Sequence, residues 1–164
     1  MRQEYRIKIE SYKNQKKPIV YIDESGFSHS SIRTHGYAQK GKRCYDSHNW
    51  GEKGRTNAIG ALLGNRLITV DLFDTSINKN TFIAWLEQSL IPSLSDKSVI
   101  VMDNASFHKG QEIKKLILDA GHILEYLPTY SPDLNPIEHK WSQAKSIRRK
   151  YNCSINSLFK YYLI

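Results

Sequence analysis

Cysteine is scarce in this chain of 164 residues: only Cys44 and Cys153 occur, in unrelated contexts. Neither belongs to a Cys-x-x-Cys pair, which leaves a disulfide framework or a zinc knuckle without support. A reducing compartment is compatible with that usage. No apolar run approaches the ~20 residues of a membrane span, and the first ten residues, MRQEYRIKIE, hold no signal-peptide core. A Gly-rich loop ending in Lys-Ser/Thr is missing, as is a Gly-x-Ser-x-Gly elbow, so neither triphosphate cradling nor an α/β-hydrolase serine is indicated. Internal repeats and low-complexity tracts are absent too. Acids are the minority charge, 16 against 24 Lys and Arg, for a formal net charge of +8 and a pI near 9.4. That balance suits a polyanionic partner, nucleic acid or an anionic surface, although a solvated excess of lysine would produce the same number. The length suits one domain with a single core. The expectation is a basic protein of the cytoplasm, associated with the nucleoid if its partner is DNA, with no membrane segment.

What is present falls into a readable order. Residues 1–17 form a basic lead-in with the makings of a short helix. Pro18 to Ile22 is a short apolar run that reads as a buried strand ending at Asp23. From Ser28 to Gly54 the chain is polar, with Lys40, Lys42, Arg43 and Lys53 set among glycines, Arg55 following, and a short strand over 36–39. The cations of this loop are candidates for phosphate contact. Runs 56–63 and 67–73 flank Gly64-Asn65-Arg66, the turn chemistry of a hairpin. Phe82, Ile83, Leu86 and Leu90 recur at helical spacing from Asn78, with Pro92 closing the segment. Ser98 to Met102 is a second buried strand, ending at Asp103. Ile113, Leu116, Ile117 and Ala120 make a helical stripe that Gly121 terminates. Residues 123–127 form the last strand, and a helix opens near Pro136. Its apolar stripe is Ile137, Trp141, Ala144 and Ile147; another face carries Glu138, Ser142, Lys145 and Arg149. This order, three strands and then alternating helices and strands, predicts an α/β mixed five-stranded sheet with helices on both faces. It matches the ribonuclease H-like fold, in which the first and fourth strands are neighbours and would bring Asp23 and Asp103 to one edge.

Three carboxylates therefore invite a common site. Hard divalent ions prefer carboxylate oxygens, and two such ions can activate a hydroxyl and stabilise the leaving oxygen of a phosphodiester. Asp23, Asp103 and Glu138, carried by two strands and a helix, supply the minimum set. Each also has a plainer role. The aspartates are placed to end strands, and Glu138 stands where a capping-box glutamate would bond the amide of an Asn135 N-cap, with Pro136 at the first helical position. Glu24 and Asp133 read as auxiliary or structural acids, and His139 as a surface residue. His108 reads as a hydrogen-bonding residue behind the site or one that orients substrate. Asn104 reads as a partner of a site group or as a turn former.

The segments Tyr21-Ile-Asp-Glu-Ser-Gly-Phe27, Val101-Met-Asp-Asn-Ala-Ser-Phe-His108 and Leu127-Pro-Thr-Tyr-Ser-Pro-Asp-Leu-Asn-Pro-Ile-Glu-His-Lys-Trp141 resemble the three catalytic blocks of the mariner-type DDE transposases. The match is to the bacterial insertion-sequence branch, for which 34 residues (104–137) between the second and third acids is the expected spacing. The resemblance covers residues 18–150, which would form the catalytic domain, followed by a C-terminal segment at 151–164. It implies Asp23, Asp103 and Glu138 as ligands of Mg2+ or Mn2+, as a pair of ions. It further implies cleavage of DNA at transposon ends and strand transfer into a TA-containing target, within a homodimer or larger synaptic complex.

Relatives of that kind carry an N-terminal helix-turn-helix region, and the expectation is that it is missing here, because the chain starts about where the catalytic domain should begin. A split or frameshifted reading frame, with end recognition from a separate helix-turn-helix protein or frame, a truncated remnant and an expressed catalytic fragment are the alternatives. Two rival readings remain. A ribonuclease H or resolvase would use a further carboxylate on the first helix after the hairpin, where Glu87 is the candidate. A degenerate fragment would bind DNA without cutting it. In every reading, Lys145 and Arg149 join Lys40, Lys42 and Arg43 as expected DNA contacts.

Overall fold

The structure is a computed structural model and describes residues 1–29 and 54–162. The expected strand at 36–39 and the cations Lys40, Lys42, Arg43 and Lys53 lie outside the described residues.

A five-stranded sheet forms the centre, in the order β3-β2-β1-β4-β5. Its strands are β1 (Ile19–Ser28), β2 (Arg55–Leu63), β3 (Arg66–Phe73), β4 (Val99–Met102) and β5 (Ile123–Tyr126). The first three are antiparallel neighbours, and β4 and β5 join β1 in parallel. Gly64, at φ +61°, supplies the left-handed residue that the tight β2–β3 turn needs. The helices are α1 (Arg2–Asn14), α2 (Lys79–Trp85), α3 (Ile91–Ser93), α4 (Gln111–Asp119), α5 (Ile137–Tyr151) and α6 (Ile155–Tyr161).

Side chains alternate across a strand, so β1 feeds two cores. Val20 and Ile22 face Phe82 and Trp85 of α2 and Ile113 and Ile117 of α4. Tyr21 and Phe27 face the opposite layer, where α5 and α6 pack Trp141, Ala144, Leu158 and Phe159. Helix α1 lies on that same side, burying Tyr5 and Ile9 against Val99, Val101 and Leu127. The mixed sheet with helices on both faces is the architecture read from the sequence.

Three boundaries differ from that reading. Strand β1 does not stop at Asp23 but continues to Ser28, because β2 pairs with it along its whole length, from Val20↔Leu63 to Ser28↔Arg55. The helical segment after Asn78 does not close at Pro92. It passes through a wider π-type turn at Leu86–Leu90 and includes Pro92 in the short helix that follows. Proline is tolerated there because the first turn of a helix asks nothing of its missing N–H. At the start of α5, Pro136 rather than Asn135 is the flanking residue, and no side chain caps the helix.

Helix α5 is held against the sheet by Trp141, whose ring packs with Phe27 and Phe159 in edge-to-face geometry. Gly60 of β2 lies beneath it: a Cβ there would stand 2.6 Å from Cη2 and 3.0 Å from Cζ2 of the indole. Gly60→Ala should therefore destabilise the fold by about 1–3 kcal/mol through overpacking, with partial relief in a Gly60→Ala/Trp141→Phe double variant. Urea unfolding measures both. An unchanged midpoint in Gly60→Ala would mean that α5 can shift away freely.

Candidate active site

The parallel pairing of β1 with β4 ends at Tyr21↔Val101. Asp23 and Asp103 each stand two residues beyond that last pair, where the strands part. Crevices of this kind, at the carboxyl ends of parallel strands, are where open α/β sheets bind ligands. Asp23 shares its face of β1 with Tyr21 and Phe27, the face that α5 covers. Glu138, in the first turn of α5, reaches the crevice from above. Asp23, Asp103 and Glu138 accordingly line one cavity of about 340 Å³, together with Asn104, Asn135 and the loop from Leu127 to Pro132.

The three acids differ sharply in environment. Asp23 is buried, and its Oδ2 has no hydrogen-bond partner among the described residues. Burial first, then the charges of Glu138, Glu24 and Asp103, push its carboxyl up to about 8. Asp103 moves the other way: a hydrogen bond from His108 holds it below the ordinary carboxylate range, aided by the Ala105 amide and opposed by burial. Its Oδ1 receives Ala105 N–H at 2.9 Å and lies 2.6 Å from His108 Nδ1. Glu138 is exposed. Among the described residues no three His, Cys, Asp or Glu side chains are drawn into a finished metal-ligand group. The acids share a cavity without forming such a group.

The residues nonetheless fit a hard divalent cation. All three contribute carboxylate oxygens, and the buried Oδ2 of Asp23 has no hydrogen-bond partner among the described residues. Burial is the main reason that the Asp23 carboxyl is raised, and the charges of Glu138, Glu24 and Asp103 add to it, a charge balance that a cation would relieve.

Other expected residues are placed as follows. His108, 1% exposed, lies between Asp103 and Glu24, with Nε2 at 2.8 Å from Glu24 Oε1. Burial alone favours the neutral ring, yet the hydrogen bonds and charges of both acids outweigh it and hold the imidazole up at about 9. Asn104 donates to the Leu127 carbonyl at 2.9 Å, tying the loop after β4 to the end of β5. Asp133 pairs with Arg2 of α1, away from the cavity lining. Lys145 lies over the Phe27 ring at 5.6 Å, and Arg149 is exposed a turn further along α5. Arg148 between them donates to the carbonyls of Ser28 and His29, which pins the end of β1 to α5. Glu87 is exposed on the π-type turn and does not line the cavity, so the fourth carboxylate of a ribonuclease H arrangement is not supplied there.

The expected capping box is not formed. The Asn135 amide donates to the Pro132 carbonyl, and Asn135 Oδ1 is buried without a partner. Glu138 is thus free of a capping duty, and Asn135 belongs to the cavity wall. The link from Glu24 to His108 also escaped the sequence reading. The signal that could have exposed it is strand alternation, which sends Glu24 to the face opposite Asp23, toward the turn that holds His108.

These shifts carry a sign for stability. Asp23 binds its proton more tightly in the folded than in the unfolded chain, so between pH 4 and its folded value near 8 its contribution to stability falls as pH rises. His108, raised above 6.5, contributes stability that is complete below that value and is lost as pH passes about 9. The difference between wild type and Asp23→Asn removes the shared histidine effect. In chelator, the melting temperature of wild type minus that of Asp23→Asn should become more negative from pH 5 to pH 8. A pH-independent difference would show that Asp23 ionises without penalty.

No curated protein matches the chain. Among solved structures, it is similar to the Mos1 transposase in a paired-end complex with the left transposon end, with a TM-score of 0.71 and 17% identity over 90% of this chain. It is likewise similar to the Mos1 transposase catalytic domain with raltegravir and Mg, at a TM-score of 0.59 and 16% identity over 95% of this chain and 75% of that one. The chain spans about half, 47%, of the Mos1 chain in the paired-end complex. These likenesses establish the shared fold. The model of the DDE superfamily endonuclease family matches residues 18–158, which contain all three acids and every strand of the sheet. The chain belongs to the DDE superfamily endonuclease family.

Proposed function

We propose that this chain is the catalytic domain of a mariner-type DDE transposase of the bacterial insertion-sequence branch. In this reading it cleaves DNA at transposon ends and transfers the strand into a TA-containing target. The observation that carries the reading is the convergence of Asp23, Asp103 and Glu138 on one cavity from β1, the end of β4 and the first turn of α5. The spacing of the second and third acids and the family match support the same conclusion. Solved structures of the similar Mos1 protein include complexes with transposon ends and with Mg or Mn, which supports DNA as partner and a divalent ion as cofactor. A homodimer or synaptic assembly and a cytoplasmic, nucleoid-associated site of action belong to the same proposal. No helix among the described residues is long and apolar enough to cross a membrane.

Asp23, Asp103 and Glu138 would hold the ions, Mg2+ or Mn2+ as a pair. When bound, they would supply Lewis acidity for activating water or a 3′-hydroxyl and for stabilising the leaving oxygen of the phosphodiester. Asp23 would present its Oδ2, and its carboxyl, raised to about 8 mainly by burial, would release its proton to solvent as a cation bound. Asp103 keeps one oxygen bonded to Ala105 and His108. Lys145 and Arg149, further along the helix that carries Glu138, would meet phosphates of the bound DNA.

Asp23→Asn, Asp103→Asn and Glu138→Gln should each abolish Mg2+-dependent cleavage of a branched or pre-cut DNA substrate while leaving salt-sensitive DNA binding intact. Cleavage surviving in any of the three removes that residue from the reaction. A wild-type preference for an RNA–DNA hybrid would instead favour the ribonuclease reading. Neutralising Lys145 and Arg149 together should weaken binding to all DNA sequences and flatten log K against log salt by roughly 2 units of slope. An unchanged slope would place DNA elsewhere.

A further inference from the structure

We propose that His108, held in place by Glu24, is a positioning residue that fixes which oxygen Asp103 presents to the cavity; the inference rests on the site reading above. Asp103 Oδ1 is engaged twice, by the Ala105 amide at 2.9 Å and by His108 Nδ1 at 2.6 Å. Rotation of the carboxylate would break both bonds. Oδ2 is therefore the oxygen left to face a cation, and Asp103 binds through one oxygen in a set orientation.

The imidazole is itself immobilised. Glu24 Oε1 accepts from Nε2 at 2.8 Å. The rings of Phe82 and Phe107 stand against the imidazole at 4.5 and 4.2 Å between centroids. Tyr126 donates to the His108 carbonyl at 2.9 Å, and the His108 amide donates to Ala105. Both acids only accept when ionised, so both ring nitrogens act as donors and neither is left over. The arrangement is decided by β1. Adjacent residues of a strand point to opposite faces, so Asp23 enters the cavity from the α5 side while Glu24 meets His108 on the side of α2 and α4. Two neighbouring acids thus act on one site by different routes, Asp23 directly and Glu24 through an imidazole. Partners of this kind behind a metal ligand typically alter metal affinity by ~10–100-fold when removed.

The test is Mn2+ binding by the full chain without DNA, followed by electron paramagnetic resonance of the free ion, with melting temperature as the control for folding. His108→Gln places its amide nitrogen near Nε2 and forfeits the Asp103 bond, so Mn2+ binding should weaken by ~10–100-fold. His108→Asn places its nitrogen near Nδ1, keeps the Asp103 bond and should bind near the wild-type value. Glu24→Ala should weaken binding in the wild-type background yet have no further effect on His108→Asn, since the route through the ring is already severed. Glu24→Gln, whose amide oxygen still accepts from Nε2, should restore most of the loss. Proton NMR of the metal-free protein should show Glu24→Ala removing one downfield imidazole N–H resonance while the other persists. Should His108→Gln fail to fold, Glu24→Ala carries the same test at a partly exposed residue. If Asp103→Asn loses Mn2+ while His108→Gln and Glu24→Ala bind it as wild type does, the positioning role is overturned and the site reading stands. If Asp23→Asn and Asp103→Asn both bind Mn2+ normally, the site reading fails and takes this inference with it.

Discussion

Parallel pairing between β1 and β4, and the point at which it ends, governs the rest of this molecule. Hydrogen bonding joins the strands only through Tyr21↔Val101. Beyond that pair β1 stays bonded to β2, whereas β4 gives way to the turn that leads to His108. A crevice opens between them, with Asp23 on one wall and Asp103 on the other. Continued pairing would have filled this space with backbone hydrogen bonds. Early termination would have left Asp23 on a loose loop; instead it sits within a long strand anchored on its β2 side, and a side chain on a strand is held more precisely than one on a loop.

Placing acids in that crevice has an energetic cost that the surrounding core offsets. Asp23 loses solvent without gaining a partner for Oδ2, and its carboxyl rises to about 8. Asp103 is stabilised by His108, which in turn depends on Glu24. The cavity therefore brings together one acid raised by burial and one lowered by a hydrogen bond from His108. Such division of environment pushes the pKa values of like groups apart. Rigidity comes from behind: Trp141, Phe27 and Phe159 lock α5 onto the sheet, and Arg148 fastens the end of β1 to the same helix. These contacts let Glu138 be exposed yet aimed.

Much of this was legible in the residues. Gly64-Asn65 announced the β2–β3 hairpin, and Ile113 with Ile117 announced the buried stripe of α4. The apolar runs ending at Asp23 and Asp103 marked both central strands. Legibility failed where a neighbour in space overruled a local signal. Asp23 reads as the end of an apolar strand, but pairing with β2 carries the strand past it to Ser28. Asn135 has the chemistry of a helix cap, yet the preceding turn takes its amide to Pro132 and leaves the side chain in the cavity wall. The short-range preference was sound in each case, and a longer-range contact was worth more.

The sequence by itself determined the inventory: which acids end apolar runs, which helix carries Glu138, and the spacing and block chemistry that mark the family. Those properties are local, being set by period, composition and separation along the chain. Only the tertiary structure decided which oxygens are free. Whether Asp23 Oδ2 has a partner, whether Asp103 presents one oxygen or two, and whether Glu24 acts directly or through His108 depend on atoms brought together from positions as far apart as residues 24 and 108. Pairing across the sheet creates those proximities, and no pattern along the chain encodes them on its own.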